Sequence, residues 1–358
     1  MAKNKKDTKL ERIPLSFSAV DREWVSNIIQ PTESEISGRN YVQYGDMNQY
    51  PQYLHDLAEN TTTLKSIING TTDYVLGDGV SSDYFDGVNA QGHTIRDVVK
   101  YCCKDYLTYG GFAMQVTRNR FNVITSVLYI DFKKLRSDKH NTIFYYSDDW
   151  KRWTSKSLKY PKFKADGDEA TSIFYYKDSV NSTYPTPIWG GGGVIAAELE
   201  KSINEYHLNN IHNGFSASYI INLNNGTPTD EVQAEIEELF DEKFTGTQNA
   251  GRFILNFATD KEHGADIQKL EVSDFDKQYE ALAKRSREQL FTAFRATPNL
   301  FGINTESLGF SSEEYKQAYK LYNKTVVQPI QTIFIDSINK ITGRDNALTI
   351  QPFTINFD

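Results

Sequence analysis

Apolar residues recur at spacings of three and four through residues 273–342, and the recurrence predicts two helices parted by a short break. In the first, Phe275, Tyr279, Leu282, Leu290 and Ala293 share one face, while Asp276, Lys277, Glu280, Lys284, Arg285, Arg287 and Glu288 charge the opposite side. Pro298 is expected to stop it, because the residue before a proline is biased away from helical geometry. The break, Asn299 to Ser312 (NLFGINTESLGFSS), holds two glycines and little charge. The second helix is expected over Glu313 to Thr342. Ser311 or Ser312 suits its N-cap, and Glu313 and Glu314 suit the dipole of its first turn. Its stripe is Tyr315, Tyr319, Tyr322, Val326, Ile330, Ile333 and Ile341. About 30 residues at a rise of ~1.5 Å each give roughly 45 Å. Pro329 lies inside that length, removes a backbone hydrogen bond and is expected to bend it.

The same patterning places elements upstream. A short strand near Tyr41 leads through a turn at Gly45 to Asn48 into a helix entered at Pro51, a position that tolerates proline. A helix follows over Asn60 to Tyr74 with Leu64, Ile67 and Ile68 inward, ending near Gly77 and Gly79. Residues 95–109 form another amphipathic helix (Ile95, Val98, Val99, Cys102, Tyr106) closed by Gly110 and Gly111. From Phe112 to Tyr176 the period changes to that of strands: FAMQVTRN, VITSVLYID, TIFYYSDD and SIFYYKD are short β-rich runs between turn residues. Ser155 to Ala170 is polar and reads as a hairpin tip or loop. The glycine run Gly190 to Gly193 lacks the Lys-Ser/Thr that a phosphate-binding loop requires, so a hinge or close-packing joint is expected.

A helix over Val194 to Asn213 carries Ile195, Leu199, Ile203 and Tyr206 on one side. A small α+β module follows: strand Ser218–Gly226, acidic helix Thr229–Thr245, and strands Gly251–Ala258 and Ala265–Val272. The module is bracketed by two long helices, residues 194–213 and 273–296. That is a helical stalk carrying a terminal domain. The acidic helix presents Glu231, Glu235, Glu238, Asp241 and Glu242, either as a solvated face or as a docking surface.

Composition narrows the chemistry. The chain has 358 residues, enough for two or three domains. Its formal net charge of −8 argues against a broad basic face gripping nucleic acid. An aromatic content of 13% suits β-structure and interfaces. Cys102 and Cys103 are adjacent and stand alone, so they form neither a disulfide framework nor a metal set and read as reduced thiols. No apolar run is long enough to span a bilayer and no signal-peptide pattern occurs, so no membrane association is expected. Residues 1–12 are polar and mostly basic, an arm that is either disordered or in contact with nucleic acid or a neighbouring subunit. His55, His93, His140, His207, His212 and His263 are scattered. With no HExxH, Cys-His cluster or GxSxG element, no catalytic residue, metal site or cofactor is expected.

The order of these elements resembles that of portal proteins of tailed bacteriophages. The segments carrying the resemblance are YGDMNQYPQYL, LKSIINGTTDYVLGDGV, the strand–helix–strand unit ending NAGRFILNFA, DFDKQYEALAKRSREQLFTAFRATPNLFGI, and YNKTVVQPIQTIFIDSI with its interior proline. It spans roughly residues 41–358. It implies an α+β fold with a wing of mixed strands and helices, a two-helix stem, a small α/β clip and a long kinked helix. By position, 1–45 would be an N-terminal arm, 46–193 the wing, 194–215 and 273–296 the stem helices, and 216–272 the clip. Residues 297–312 would be the channel loop, 313–342 the kinked wing helix, and 343–358 a C-terminal strand. A helical crown is expected to be absent or minimal.

Functionally, the resemblance implies a homo-oligomeric ring, dodecameric in that family, at one capsid vertex of the virion, made in the host cytoplasm. Double-stranded DNA would pass through it during packaging and ejection. The terminase large subunit, a head–tail adaptor and the major capsid protein would be its partners. A different head–tail connector or head-completion protein is the alternative, and a metal-dependent nuclease a more distant one. The candidate channel residues are Asn299, Asn304, Thr305, Glu306 and Ser307. They either approach DNA or simply close a helix–helix connection. They include no Lys or Arg, and an acidic annulus repels the phosphate backbone, so DNA would slide with little friction. The acidic face of the clip helix would dock terminase or adaptor, and Pro329 would set the kink.

Overall fold

The computed structural model describes residues 31–36, 38–152, 156–212, 219–223, 253–257, 273–303 and 312–354, with the single positions 229 and 232. In chain order the elements are β1 (Glu33–Glu35), β2 (Val42–Tyr44), α1 (Tyr50–Asn60), α2 (Thr62–Leu76), β3 (Gly79–Ser81), α3 (Ile95–Tyr109), β4 (Gly111–Arg118) and β5 (Ile124–Tyr129). Next come β6 (Leu135–Ser137), β7 (Ile143–Tyr146), β8 (Leu158–Pro161), β9 (Thr171–Lys177), α4 (Gly192–His212), β10 (Tyr219–Leu223) and β11 (Phe253–Phe257). The last are α5 (Ser273–Ala293), α6 (Ser312–Tyr322), α7 (Gln328–Thr342) and β12 (Thr349–Gln351).

Local signals account for α3. The Thr94 side chain accepts from the Asp97 N–H and the Asp97 carboxylate accepts from the Thr94 N–H, a reciprocal cap. The helix ends where Gly110 takes φ 80°, donating its N–H to Tyr106 O at 2.8 Å. Strand β4 follows at once and becomes the centre of an antiparallel sheet ordered β5-β4-β9. Because α3 covers one face and other elements cover the second, Phe112, Ala113 and Met114 are buried in succession, and in–out alternation appears only from Gln115 onward. A second antiparallel sheet, β6-β7-β8, lies beside it. Strand β8 falls in the polar stretch read from the sequence as hairpin tip or loop: Leu158 and Lys159 are exposed, Tyr160 and Pro161 half-buried, and pairing with β7 makes the strand where side-chain pattern does not.

The second sheet is tied to α1 through one residue. Arg136, on β6, is fully buried at 0% exposure. Its Nε donates to Asn48 Oδ1 at 2.6 Å, Nη1 to Lys133 O at 3.0 Å and Leu135 O at 2.8 Å, and Nη2 to Asn48 O at 2.6 Å and Gln52 Oε1 at 3.2 Å. Asn48 can present both oxygens because the Gly45–Asn48 turn runs through left-handed backbone, φ 74° at Gly45, 48° at Met47 and 62° at Asn48. The guanidinium also lies 5.1 Å from the Trp150 ring centre. Burial pushes its pKa down to about 10, which leaves it charged at neutral pH.

The long C-terminal helix is not one α-helix. Residues Asn323–Val327 form a π turn between α6 and α7, with the Gln328 N–H donating to Asn323 O. Tyr322, Val326, Ile330, Phe334 and Ile338 are buried at strict four-residue intervals. At 3.6 residues per turn that spacing drifts by about 40° per step, so an α-helix would carry the stripe off the core. The wider π turn absorbs part of the drift. It also puts Pro329 in the first turn of α7, where a missing N–H costs little. The interruption thus lies before Pro329 rather than at it. Phe334 then packs on Phe112, ring centres 4.9 Å apart.

Strand β12 returns the chain to β3, pairing Gln351 with Gly79. Gly77, at φ 57°, passes so close that an added Cβ would sit 1.9 Å from Gln351 O. Gly77→Ala should therefore both strain the backbone and push β12 away. A loss of about 3 kcal/mol or more in urea unfolding is expected, and a loss below about 1 kcal/mol would show that β12 contributes little.

Candidate functional site

The predicted stalk corresponds to α4 and α5, and the two helices pack along each other. Their junction with the body is tight. Gly193 lets α4 approach, since a Cβ there would lie 3.1 Å from Trp189 Cβ and 3.4 Å from Ala293 Cβ. The glycine run is thus a close-packing joint. Trp189 is buried and donates Nε1–H to Leu107 O at 3.0 Å, fixing the root of α4 to α3. Ser286 Oγ donates to Ala196 O at 2.6 Å across the helix pair. Val194, Ala196, Ala197 and Ile203 are inward on α4, and Leu290 with Phe291 inward on α5. Ile195, expected inward from its spacing, is exposed: the small alanines take the contact because they permit a shorter interaxial distance.

Further along, the covering stops. Tyr206 packs on Tyr279 with ring centres 4.6 Å apart, the last large apolar contact between the two helices among the described residues. Beyond it on α4, Leu208 is 53% and Ile211 63% exposed, while on the body side of Tyr279 Leu282 is 37% exposed. Apolar side chains of both helices are therefore left uncovered by the rest of the chain. Strands β10 and β11 form a parallel pair in register Tyr219↔Phe253 to Leu223↔Phe257. Glu231, Glu235, Glu238, Asp241 and Glu242, and the expected strand Ala265–Val272, lie outside the described residues.

At the other end of α5 the helix stops before proline acts. Arg295 takes φ 52°, and the Ala296 N–H donates to Phe291 O at 2.9 Å, so a left-handed residue ends the helix where glycine usually serves. A 3₁₀ turn, Pro298–Phe301, follows. It is pinned to α2: the Tyr74 hydroxyl donates to Leu300 O at 2.7 Å, and Phe301 fills the space above Gly70, where a Cβ would lie 2.7 Å from its Cδ1. Asn299 sits in this turn half-buried, and both its Nδ2 and Oδ1 are shielded without a hydrogen-bond partner. Its amide does not face solvent within the chain. Asn304, Thr305, Glu306 and Ser307 lie outside the described residues. What the structure supplies is a fixed anchor for that segment.

Titratable groups gather elsewhere, around a cavity of about 140 Å³ lined by His55, Glu59, Lys65, Lys104, Asp105 and Tyr129. Spacing did not reveal this cluster, because its members come from α1, α2, α3 and β5. Lys65 pairs with Glu59 at 2.7 Å, and that hydrogen bond holds the Glu59 carboxyl below its usual range. Burial and then Lys133 push the His55 pKa down. Burial, followed by Asp131, pushes Asp105 well up. Among the described residues no group of three His, Cys, Asp or Glu is placed to hold a metal ion. For Asp105 the linkage has a definite sign. Unfolded, it ionises near ~3.9; folded, it ionises well above that. Its contribution to stability is complete below the unfolded value and is lost as pH rises through the folded one. Asp105→Asn should flatten the fall in urea midpoint between pH 5 and pH 8, and an unchanged slope would assign that fall to another group.

No protein-family model matches the chain. An uncharacterised protein of Rickettsia bellii (strain RML369-C) is 26% identical over 143 residues, 40% of this chain and 34% of that protein. The matched stretch thus spans about a third of that relative. Among solved structures, a chain from the neck of a native gene transfer agent particle, computed with C12 symmetry, superposes with a TM-score of 0.54 at 14% identity, covering 84% of each chain. An HK97-family phage portal protein from Corynebacterium diphtheriae superposes with a TM-score of 0.52 at 10% identity, covering 83% of this chain and 94% of that one. The chain has a phage portal-like α+β fold.

Proposed function

We propose that this portal-like chain is the repeating subunit of a closed ring at the head–tail junction of a phage-like particle, and that the ring is the conduit for double-stranded DNA. The observation that carries the proposal is the stalk. It leaves Leu208 and Ile211 at its distal end, and Leu282 nearer the body, in solvent. A slender helix pair gains most of its stability from burying its apolar residues, and here several of them stay uncovered within one chain. Neighbouring copies related by rotation supply the missing cover, one side of each stalk meeting the other side of the next, which is the heterologous contact that closes into a ring.

In this arrangement the segment between Ile303 and Ser312 hangs from the anchor made by Tyr74, Leu300 and Phe301, and reaches the bore. A conduit must hold DNA centrally without gripping it. A net charge of −8 on each subunit, summed around a ring, repels phosphates at short range. The acidic helix at 230–242 then docks the packaging terminase or a tail adaptor. The test is the oligomeric state of the full chain by light scattering and electron microscopy. A dodecameric ring with a hole wide enough for duplex DNA supports the proposal. A monomer at every accessible concentration, with no rings in images, overturns it.

A further inference from the structure

Arg118, the last residue of β4, is 6% exposed. Its Nη2 donates to Lys164 O at 2.6 Å and Ala165 O at 3.3 Å, and its guanidinium carbon lies 4.9 Å from the Phe163 ring centre. Its Nη1 is shielded and has no hydrogen-bond partner. The Ser172 hydroxyl, on the neighbouring strand β9, is likewise buried and unpartnered. Both residues line the same cleft of about 360 Å³. A buried guanidinium whose Nη1 meets no acceptor is costly to keep, because a neutral side chain would pack in the apolar surroundings of Phe163 at lower cost.

We propose that this cleft is a receptor for a single carboxylate group, held by Arg118 Nη1 and the Ser172 hydroxyl. The guanidinium can only donate and the hydroxyl can donate beside it, so the ligand atom on Nη1 must be an acceptor, and the positive charge selects an anion. Charge at the mouth limits that anion to one negative unit. Exposed Asp166, Asp168 and Glu169 face exposed Lys162 and Lys164 there, so a polyanion such as a nucleic-acid backbone is repelled while one carboxylate is neutralised by the buried cation. The cover over Nη1 is the Lys164–Gly167 turn, closed by one backbone bond of 3.2 Å from Gly167 N–H to Lys164 O. A Cβ built on Gly167 would lie 3.8 Å from Nη1, so a small displacement of this turn admits two oxygen atoms. The carboxylate comes either from a free small acid or from an acidic side chain of another protein, and the two sources are separable.

The same geometry designs the test. Gly167→Asp carries its own carboxylate to Nη1 and should occupy the receptor from within. In thermal unfolding at matched ionic strength, sodium acetate replacing chloride should raise the wild-type midpoint by several degrees in a saturable way. Gly167→Asp should start higher and show no further rise. Arg118→Gln should show no rise, and Ser172→Ala should need a several-fold higher acetate concentration. Arg120→Gln, an exposed neighbour, should respond as wild type. A Gly-Glu-Gly peptide acting at several-fold lower concentration than acetate supports the proposal with a protein side chain as source, and equal potency supports it with a free acid. An Arg118→Gln or Gly167→Asp chain that still responds like wild type overturns the proposal, as does the absence of any acetate effect on wild type. A short duplex DNA that raises the midpoint more than acetate through Arg118 overturns the carboxylate assignment. If Arg118→Gln does not fold, the Gly167→Asp and Ser172→Ala responses decide alone.

Discussion

Arg136→Ala is expected to destabilise the chain by about 4 kcal/mol, among the largest effects a single substitution produces. Two terms oppose each other. Removing a fully buried cation with no carboxylate among its bonded partners relieves a desolvation cost, whose direction is visible in the lowered pKa. Against that, the carbonyls of Asn48, Lys133 and Leu135 and the side-chain oxygens of Asn48 and Gln52 all lose a charged donor. Asn48 Oδ1 keeps the Tyr44 N–H at 3.0 Å and Lys133 O keeps Gln52 Nε2 at 3.0 Å. Even so, a buried acceptor left with no donor costs roughly 1–3 kcal/mol, so those that keep none together outweigh the relief. The Gly45–Asn48 turn is strained at its left-handed residues and is held by these bonds, so it should relax as well. Arg136→Met fills most of the volume without donors. If acceptor loss dominates, Met and Ala should lower the urea midpoint almost equally. A Met variant close to wild type would mean that the guanidinium contributes packing alone and that its hydrogen bonds do not hold the turn.

Leu208→Glu with Ile211→Glu should leave the isolated subunit folded as before while abolishing its assembly. Both side chains are already more than half exposed in the subunit, so their replacement should shift subunit stability by no more than about 0.5 kcal/mol. In a ring, each would be buried against the next stalk, at roughly 1.5–3 kcal/mol per side chain. Two residues at each interface then weaken each contact by about 3–6 kcal/mol, or roughly two to four orders of magnitude in association. A closed ring repeats the loss at every interface. Sedimentation velocity should show rings for the wild type and only subunits for the double variant. Rings of undiminished yield would mean that this face is covered by something other than a neighbouring stalk.

How the two views of the chain divide follows from the range of the forces. Signals acting within a turn or two were readable directly. Gly110 marks the end of α3, Pro51 marks the start of α1, and the spacing of apolar residues marks α4, α5 and the C-terminal helix. Each of these depends on side chains and backbone groups within about five residues. The portal-like order of elements was legible for the same reason: it is a succession of such local periods.

Only the tertiary structure decided the rest. The π turn before Pro329 reflects the demand of a core surface on the phase of a helix, and residue pattern alone placed the irregularity at the proline. Arg136 looks like an ordinary strand arginine, yet its main partner, Asn48, is 88 positions away. The pairing of β12 with β3 joins residues on opposite ends of the chain. The joining of Arg118 with Ser172 in one cleft depends on strand register, which no local spacing encodes. An amphipathic stripe states that a helix face wants cover, whereas which of its residues the subunit covers depends on how the chain packs. The sequence by itself therefore determined the elements and their order, and the packing of the chain against itself determined which donors, acceptors and apolar faces were left over for other molecules.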